Sequence, residues 1–176
     1  GRTEIFPYDS ENAVAGNGTV GLEILDQFQR VKHVVVPVSG GGLISGVALA
    51  LKSLKPDTRI WGVQPENSNA TFLSFQKGEP VPIEKAETVA DGLQVIRPGR
   101  ITFSLIRQYV DDIITVKESA ILEAVRHFAL EEKLIVEPSG AVTLAAELEG
   151  KVPADNTLCI LSGGNIDPRL LIDLLS

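Results

Sequence analysis

The sequence predicts an α/β fold, an open and mostly parallel twisted sheet with helices on both faces. Three observations predict it. Short β-branched runs alternate with amphipathic stretches along the whole length, the signature of βαβ units. Val34-Val35-Val36-Pro37-Val38 is apolar at every position, as a strand covered on both faces of a parallel sheet has to be. Three glycines, Gly40 to Gly42, follow that strand directly and open a helical pattern.

The elements follow in order. Gly18 to Gln29 carries Val20, Ile24, Leu25 and Phe28 at helical spacing. After the strand at Val34–Val38 comes a helix over Gly42 to Leu54, with Leu43, Val47, Leu51 and Leu54 on one face and Pro56 closing it. Arg59 to Val63 reads as a second strand, and Asn67 to Gln76 as a helix ended by Gly78. Gly78 to Arg100 is rich in Pro and Gly and is expected to be irregular. Ile101 to Tyr109 is expected to be a helix and Asp112 to Val116 a strand. Lys117-Glu118-Ser119 opens a long helix to Glu131, with Ser119 as its cap or a first-turn residue, and Ser139 to Glu149 makes another. Thr157 to Leu161 is the last strand, and Asp167-Pro168 starts a terminal helix with proline at its first position. Without an internal repeat or a linker, residues 1–176 form one domain.

Composition narrows the function classes. A chain of 176 residues, 44% hydrophobic and 22% charged, suits a single domain with a sizeable core. Its apolar runs fall far short of the roughly 20 residues a membrane-spanning helix needs, and its opening does not resemble a secretory signal. One cysteine, Cys159, excludes an internal disulfide framework and is expected to be an inert buried thiol. These features point to a soluble, cytoplasmic protein without a membrane partner. A net charge of −7 argues against nucleic acid, which clustered Lys and Arg hold, and 5% aromatics argue against base stacking. No Met occurs anywhere, so the chain is expected to lack its natural start.

Ligands of open parallel sheets bind at the carboxyl ends of strands. The turn Ser39-Gly40-Gly41-Gly42-Leu43 lies at such an end, where glycines free of Cβ atoms let successive N–H groups converge. The helix that follows adds its unpaired donors and positive dipole end, so the turn suits a phosphate. The alternative is a tight turn that merely packs helix against strand. Neither nucleotide fingerprint fits: counting from Gly40, the sixth position is Ser45 where the dinucleotide pattern needs glycine, and the Gly-Lys-Ser/Thr of a Walker loop is missing. A second turn, Ser162-Gly163-Gly164-Asn165, follows the last strand; it is either a simple turn or the opposite wall of the same crevice.

Other residues read as structural. His33 and His127 have no second ligand at metal-binding spacing. Asp111-Asp112 is expected to solvate a loop, and Trp61 to sit in the core.

Taken together, several segments carry a resemblance. They are Val14-Ala15-Gly16-Asn17-Gly18-Thr19, Pro37 to Leu43, Val63-Gln64-Pro65-Glu66-Asn67-Ser68, Thr88-Val89-Ala90-Asp91-Gly92, Val110-Asp111-Asp112, Val136-Glu137-Pro138-Ser139-Gly140-Ala141 and Leu161-Ser162-Gly163-Gly164-Asn165. In this order and spacing the chain resembles the serine/threonine dehydratase and serine racemase group of fold-type-II pyridoxal-phosphate enzymes. The resemblance implies pyridoxal 5'-phosphate as cofactor and a small amino acid as substrate. It implies that Ser39, Gly40, Gly41, Gly42 and Leu43 hold the cofactor phosphate through backbone N–H groups. Gly92 and Glu137 would lie along the pyridine ring, and Ser162, followed by Gly163, would face the ring nitrogen. A neutral hydroxyl there leaves the nitrogen mostly unprotonated, which favours loss of a β-hydroxyl and release of a 2-keto acid and ammonia.

Departures accompany the likeness. Ser39 stands where the family commonly has a first glycine, and Asn17 where it has Gln. Several members hold a divalent cation through carboxylates; here those places carry Gln64 and Ala70, with only Glu66 nearby, so no metal is expected. The Schiff-base lysine motif, Ser-x-Lys-x-Arg-Gly-Ala, is absent. The lysines present, Lys32, Lys52, Lys55, Lys77, Lys85, Lys117, Lys133 and Lys151, read as solvated surface. The expectation is the C-terminal part of a dehydratase, inactive without the half that bears the lysine and associating through apolar surface into a homo-oligomer. A serine racemase, a non-catalytic phosphate-binding module and a split enzyme are the alternatives.

Overall fold

His33–Pro37 forms strand β1, and its valines divide between two separate cores. Val35 packs into one, Val34 and Val36 into the other, and all three are fully buried. Such a strand needs a sheet covered on both faces, and the computed structural model, which describes residues 6–176, has one. Strands β1, β2 (Arg59–Pro65), β3 (Asp112–Val116) and β4 (Thr157–Cys159) lie in the order β3-β2-β1-β4. Every pairing is parallel; Val34 stands opposite Ile60 on one side and Leu158 on the other.

Helices α1 (Glu11–Gln27), α2 (Gly42–Leu54) and α4 (Arg100–Tyr109) send Ile24, Leu51 and Ile106 into the core with Val34 and Val36. Helix α3 (Ala70–Lys77) joins the same side through Phe72 and Phe75. Helices α5 (Glu118–His127), α6 (Pro138–Leu148) and α7 (Pro168–Leu175) cover the other face through Ile121, Val142 and Leu171. The expected architecture is therefore present, with a wholly parallel sheet among the described residues.

Several details differ from the sequence pattern, each for a physical reason. Helix α1 starts at Glu11 rather than Gly18, because the Ser10 hydroxyl accepts the Ala13 N–H at 3.2 Å and fixes an earlier start. The periodicity that continues past His127 belongs to a π-helical turn, Phe128–Glu132, ended by Lys133 at a φ of 58°. Strand β4 stops at Cys159, although Ile160 still donates its N–H to the Val35 carbonyl at 3.0 Å. Lys52 is not solvated surface: its Nζ lies 2.8 Å from Asp111, with side chains only 17% and 25% exposed. Nor does Asp111 merely solvate a loop, since its Oδ2 accepts the Ile60 N–H at 2.7 Å and ties the start of β3 to β2. Trp61 packs against the core as expected but stays half-buried, and its Nε1 donates to His33 Nδ1 at 3.3 Å. Residues 78–99 are irregular apart from a short 3₁₀ turn, Asp91–Leu93.

The strand order positions the site. From β1 the chain builds outward through β2 to β3, then crosses back to lay β4 on the opposite side of β1. Where the direction of build reverses, the connections leaving adjacent strands diverge and a crevice opens at their carboxyl ends.

Candidate functional site

A cavity of about 250 Å³ occupies that crevice. Ser39, Gly40, Gly41, Gly42 and Leu43 form one wall after β1, and Ser162 stands opposite after β4. Gly92 and Leu93 from the 3₁₀ turn close a third side, and Tyr8 and Pro37 complete the lining.

The glycine wall has an ordered backbone. Thr71 Oγ1 donates to the Ser39 carbonyl at 3.0 Å. The Gly40 carbonyl accepts from Thr102 Oγ1 at 2.6 Å and from the Gly99 N–H at 3.3 Å. The Gly41 carbonyl accepts the Ser45 N–H at 3.0 Å, the first bond of α2. In a trans peptide the C=O and the following N–H point in opposite directions, and the chain has no cis bond among its described residues. Three carbonyls drawn into the protein therefore turn the N–H groups of Gly40, Gly41 and Gly42 away from it. None of these N–H groups meets an acceptor among the described residues. Gly41 permits the turn with a φ of 97°, and a Cβ there would come within 2.9 Å of Thr102 and Ile106 side chains. At Gly40 a Cβ would collide with the Tyr8 ring.

The other walls are held equally firmly. The Gly92 N–H donates to Ser139 Oγ at 2.9 Å and to Asp91 Oδ1 at 2.8 Å. Upstream, the Glu118 carboxylate accepts Thr88 Oγ1 and the Val89 N–H, both at 2.9 Å. Glu137 and Gly163 do not line the cavity; they are joined to each other, the Glu137 N–H donating to the Gly163 carbonyl at 3.1 Å. The Glu137 carboxylate fills the space a Cβ on Gly163 would take.

The cavity wall thus offers backbone N–H donors, apolar cover from Leu43, Leu93 and Pro37, the Tyr8 ring, and the serines Ser39 and Ser162, with no carboxylate, lysine or histidine lining it among the described residues. Converging N–H groups at the start of α2 suit an anion. No group of three or more metal-ligating side chains occurs among the described residues. Gln64 is fully buried and its Oε1 accepts the Phe72 N–H at 2.8 Å, while its Nε2 has no partner among the described residues; Ala70 is buried and Glu66 exposed. Cys159 is half-buried rather than the expected buried thiol, and desolvation, aided by the Glu147 charge, pushes it up to about 12, which disfavours the thiolate.

Sequence reasoning missed Tyr8, Pro37 and Leu93 in the lining, and Asp9, Thr71, Thr102 and Ser139 behind it. Leu93 adjoins a quoted motif, and Pro37 and Ser139 lie within two others, so proximity was their signal. Thr102 and Asp9 carry none, because each acts on partners distant in sequence.

A glycine turn at a helix start, set in the reversal crevice of a parallel sheet, defines the class: an α/β protein with a cavity at the carboxyl ends of its strands. The chain belongs to the family of pyridoxal-phosphate dependent enzymes, which matches residues 1–163. It is 43% identical over 171 residues to the catabolic L-threonine dehydratase of Escherichia coli (strain K12), covering 95% of this chain and 52% of that protein. To the L-threonine ammonia-lyase of Thermotoga maritima it is 40% identical over 172 residues, 97% of this chain and 43% of the relative. Among solved structures it is similar to the threonine deaminase of T.th., with a TM-score of 0.87 and 43% identity over 92% of this chain and 56% of the other. It is also similar to maize serine racemase, with a TM-score of 0.90 and 39% identity over 96% and 53%. The chain spans about half the length of the curated relatives it matches.

The family's cofactor fits the cradle on its own terms. A phosphate needs several donors and no opposing carboxylate, and the Ser39–Leu43 turn provides that environment.

Proposed function

We propose that residues 1–176 form the cofactor-phosphate-holding domain of a threonine/serine ammonia-lyase, which removes water from the amino acid and releases a 2-keto acid and ammonia. The observation that carries this reading is the set of three outward N–H groups at Gly40, Gly41 and Gly42 in a chain of this family. Those donors, with the following amides of α2, would hold the cofactor phosphate. Bound there, pyridoxal phosphate supplies an electron sink for the bonds around the amino acid's α-carbon.

The remaining roles belong to this chain's residues. The Ser162 hydroxyl would meet the ring nitrogen with a neutral partner and leave it unprotonated. Gly92, held by Ser139, would border the ring, and Glu137, behind the lining, would brace the turn that carries Ser162 and Gly163. Tyr8 and Leu93 would exclude water from the cradle. With Gln64 and Ala70 in place of carboxylates, the reading requires no divalent cation. The lysine that such catalysis uses would be carried by a further part of the polypeptide, and association of copies in the cytoplasm completes the proposal.

The test is the intact protein with pyridoxal phosphate and L-threonine or L-serine, assayed for 2-ketobutyrate or pyruvate. Keto acid from either substrate supports the reading. Bound cofactor without keto acid from either one sinks it. The likeness to maize serine racemase favours one competitor, so chiral analysis of the serine reaction is run alongside; D-serine as the dominant product would shift the assignment to racemisation.

A further inference from the structure

We infer that Thr71 and Thr102 are positioning residues of the phosphate cradle: their hydroxyls lock two successive peptide planes so that the N–H groups of Gly40 and Gly41 face the ligand. The inference rests on the cradle reading above and assigns the part that the glycines cannot perform alone. Glycine is free to adopt the needed conformation and equally free to leave it. Without an anchor, the peptide joining Ser39 to Gly40, or Gly40 to Gly41, could rotate and present a carbonyl oxygen to an anion. One such flip replaces an attractive donor with a repulsive acceptor.

Both anchors are built for this task. Thr71 and Thr102 are fully buried, yet each gives its hydroxyl proton to a carbonyl of the loop. They come from different elements, Thr71 from α3 and Thr102 from α4, and they grip consecutive carbonyls. Thr102 is itself fixed at every polar group. Its N–H donates to Asp9 Oδ1 at 3.2 Å, and its carbonyl accepts Ser45 Oγ at 3.1 Å. A buried hydroxyl that served only to fill space would have no need of this network, and burying it costs free energy unless it is bonded. Neither threonine lines the cavity, so neither touches a ligand directly.

The test uses the intact protein with Thr71→Val and Thr102→Val, which keep the shape and remove the donor, beside Thr71→Ser and Thr102→Ser, which keep the donor. Affinity is measured by fluorescence titration with two probes, pyridoxal phosphate and pyridoxal, the second lacking the phosphate. Expected is a roughly three- to tenfold weaker binding of pyridoxal phosphate in each valine variant, the net worth of one hydrogen bond. Pyridoxal affinity should stay within about twofold, because no phosphate is involved and one such bond is the unit being read. The serine variants should bind pyridoxal phosphate like the parent, and the phosphorus resonance of the bound ligand should shift in the valine variants alone. Unchanged pyridoxal phosphate affinity in both valine variants overturns the inference, as does an equal loss for both probes, which would mark a general packing role. If the parent protein itself binds the two probes equally, the cradle reading falls first and this inference with it. A valine variant that unfolds leaves the serine variant to decide: serine must retain full affinity for pyridoxal phosphate over pyridoxal, and its loss overturns the inference.

Discussion

At Gly41 a φ of 97° coincides with a site where a Cβ would press on Thr102 and Ile106. Gly41→Ala should therefore cost about 1–3 kcal/mol of stability, the range for a strained residue in a sparse backbone region. Urea denaturation reads that loss, and a variant as stable as the parent would show that the turn relaxes. Cys159 allows a prediction of opposite character. Its unfolded thiol loses its proton near 9, and burial raises the folded value to about 12. Between those values the folded chain keeps a proton the unfolded chain has released, so the contribution is full below pH 9 and is lost as pH climbs towards 12. Urea midpoints at pH 8 and pH 10 should fall less in Cys159→Ala than in the parent. At this scale the sequence was legible where chemistry is local. Three glycines after an apolar strand announce a cradle, but Thr102 looks like any helical threonine until α4 is laid beside α2.

Among the elements, α4 depends on a residue far outside it. Asp9 accepts the N–H groups of Arg100, Ile101 and Thr102 at 2.9, 2.8 and 3.2 Å, capping the helix from 91 or more positions away. A carboxylate on a helix N-terminus is favoured by both hydrogen bonding and the dipole. Asp9→Ala should cost about 1–2 kcal/mol, in line with other cap removals, and should also weaken pyridoxal phosphate binding, since Thr102 sits in the released turn. Retained stability and retained affinity together would show that another group replaces the cap. Most elements were readable from periodicity and breakers: α2 and β3 fall where the pattern places them. The earlier start of α1 was hidden because Gly16 and Gly18 interrupt its apolar stripe, while the Ser10 cap sets it. The end of α5 was hidden because the chain stays helical through the π turn Phe128–Glu132, and no Gly or Pro marks the change.

For the whole molecule, the sheet has an open side. Beyond β4 no further strand pairs among the described residues; Leu161 just after it is exposed, as are Leu175 and, at 62%, Ile172 on α7. Uncovered edges and apolar side chains invite pairing. Sedimentation of this chain should show concentration-dependent association, reduced when Ile172 is replaced by Lys; a single monomeric boundary at high concentration would contradict it. The class of fold was legible because alternation of strands and helices constrains topology strongly. Its open side was not, since residues 157–161 read as apolar whether or not a neighbour covers them. The reversal of strand order has one more consequence. Ser39 and Ser162 meet only after β4 has docked against β1, so the pocket has no partial form in a growing or half-folded chain. A ligand held between the two walls would bind only the chain in which that pairing is made, and would stabilise the pairing accordingly.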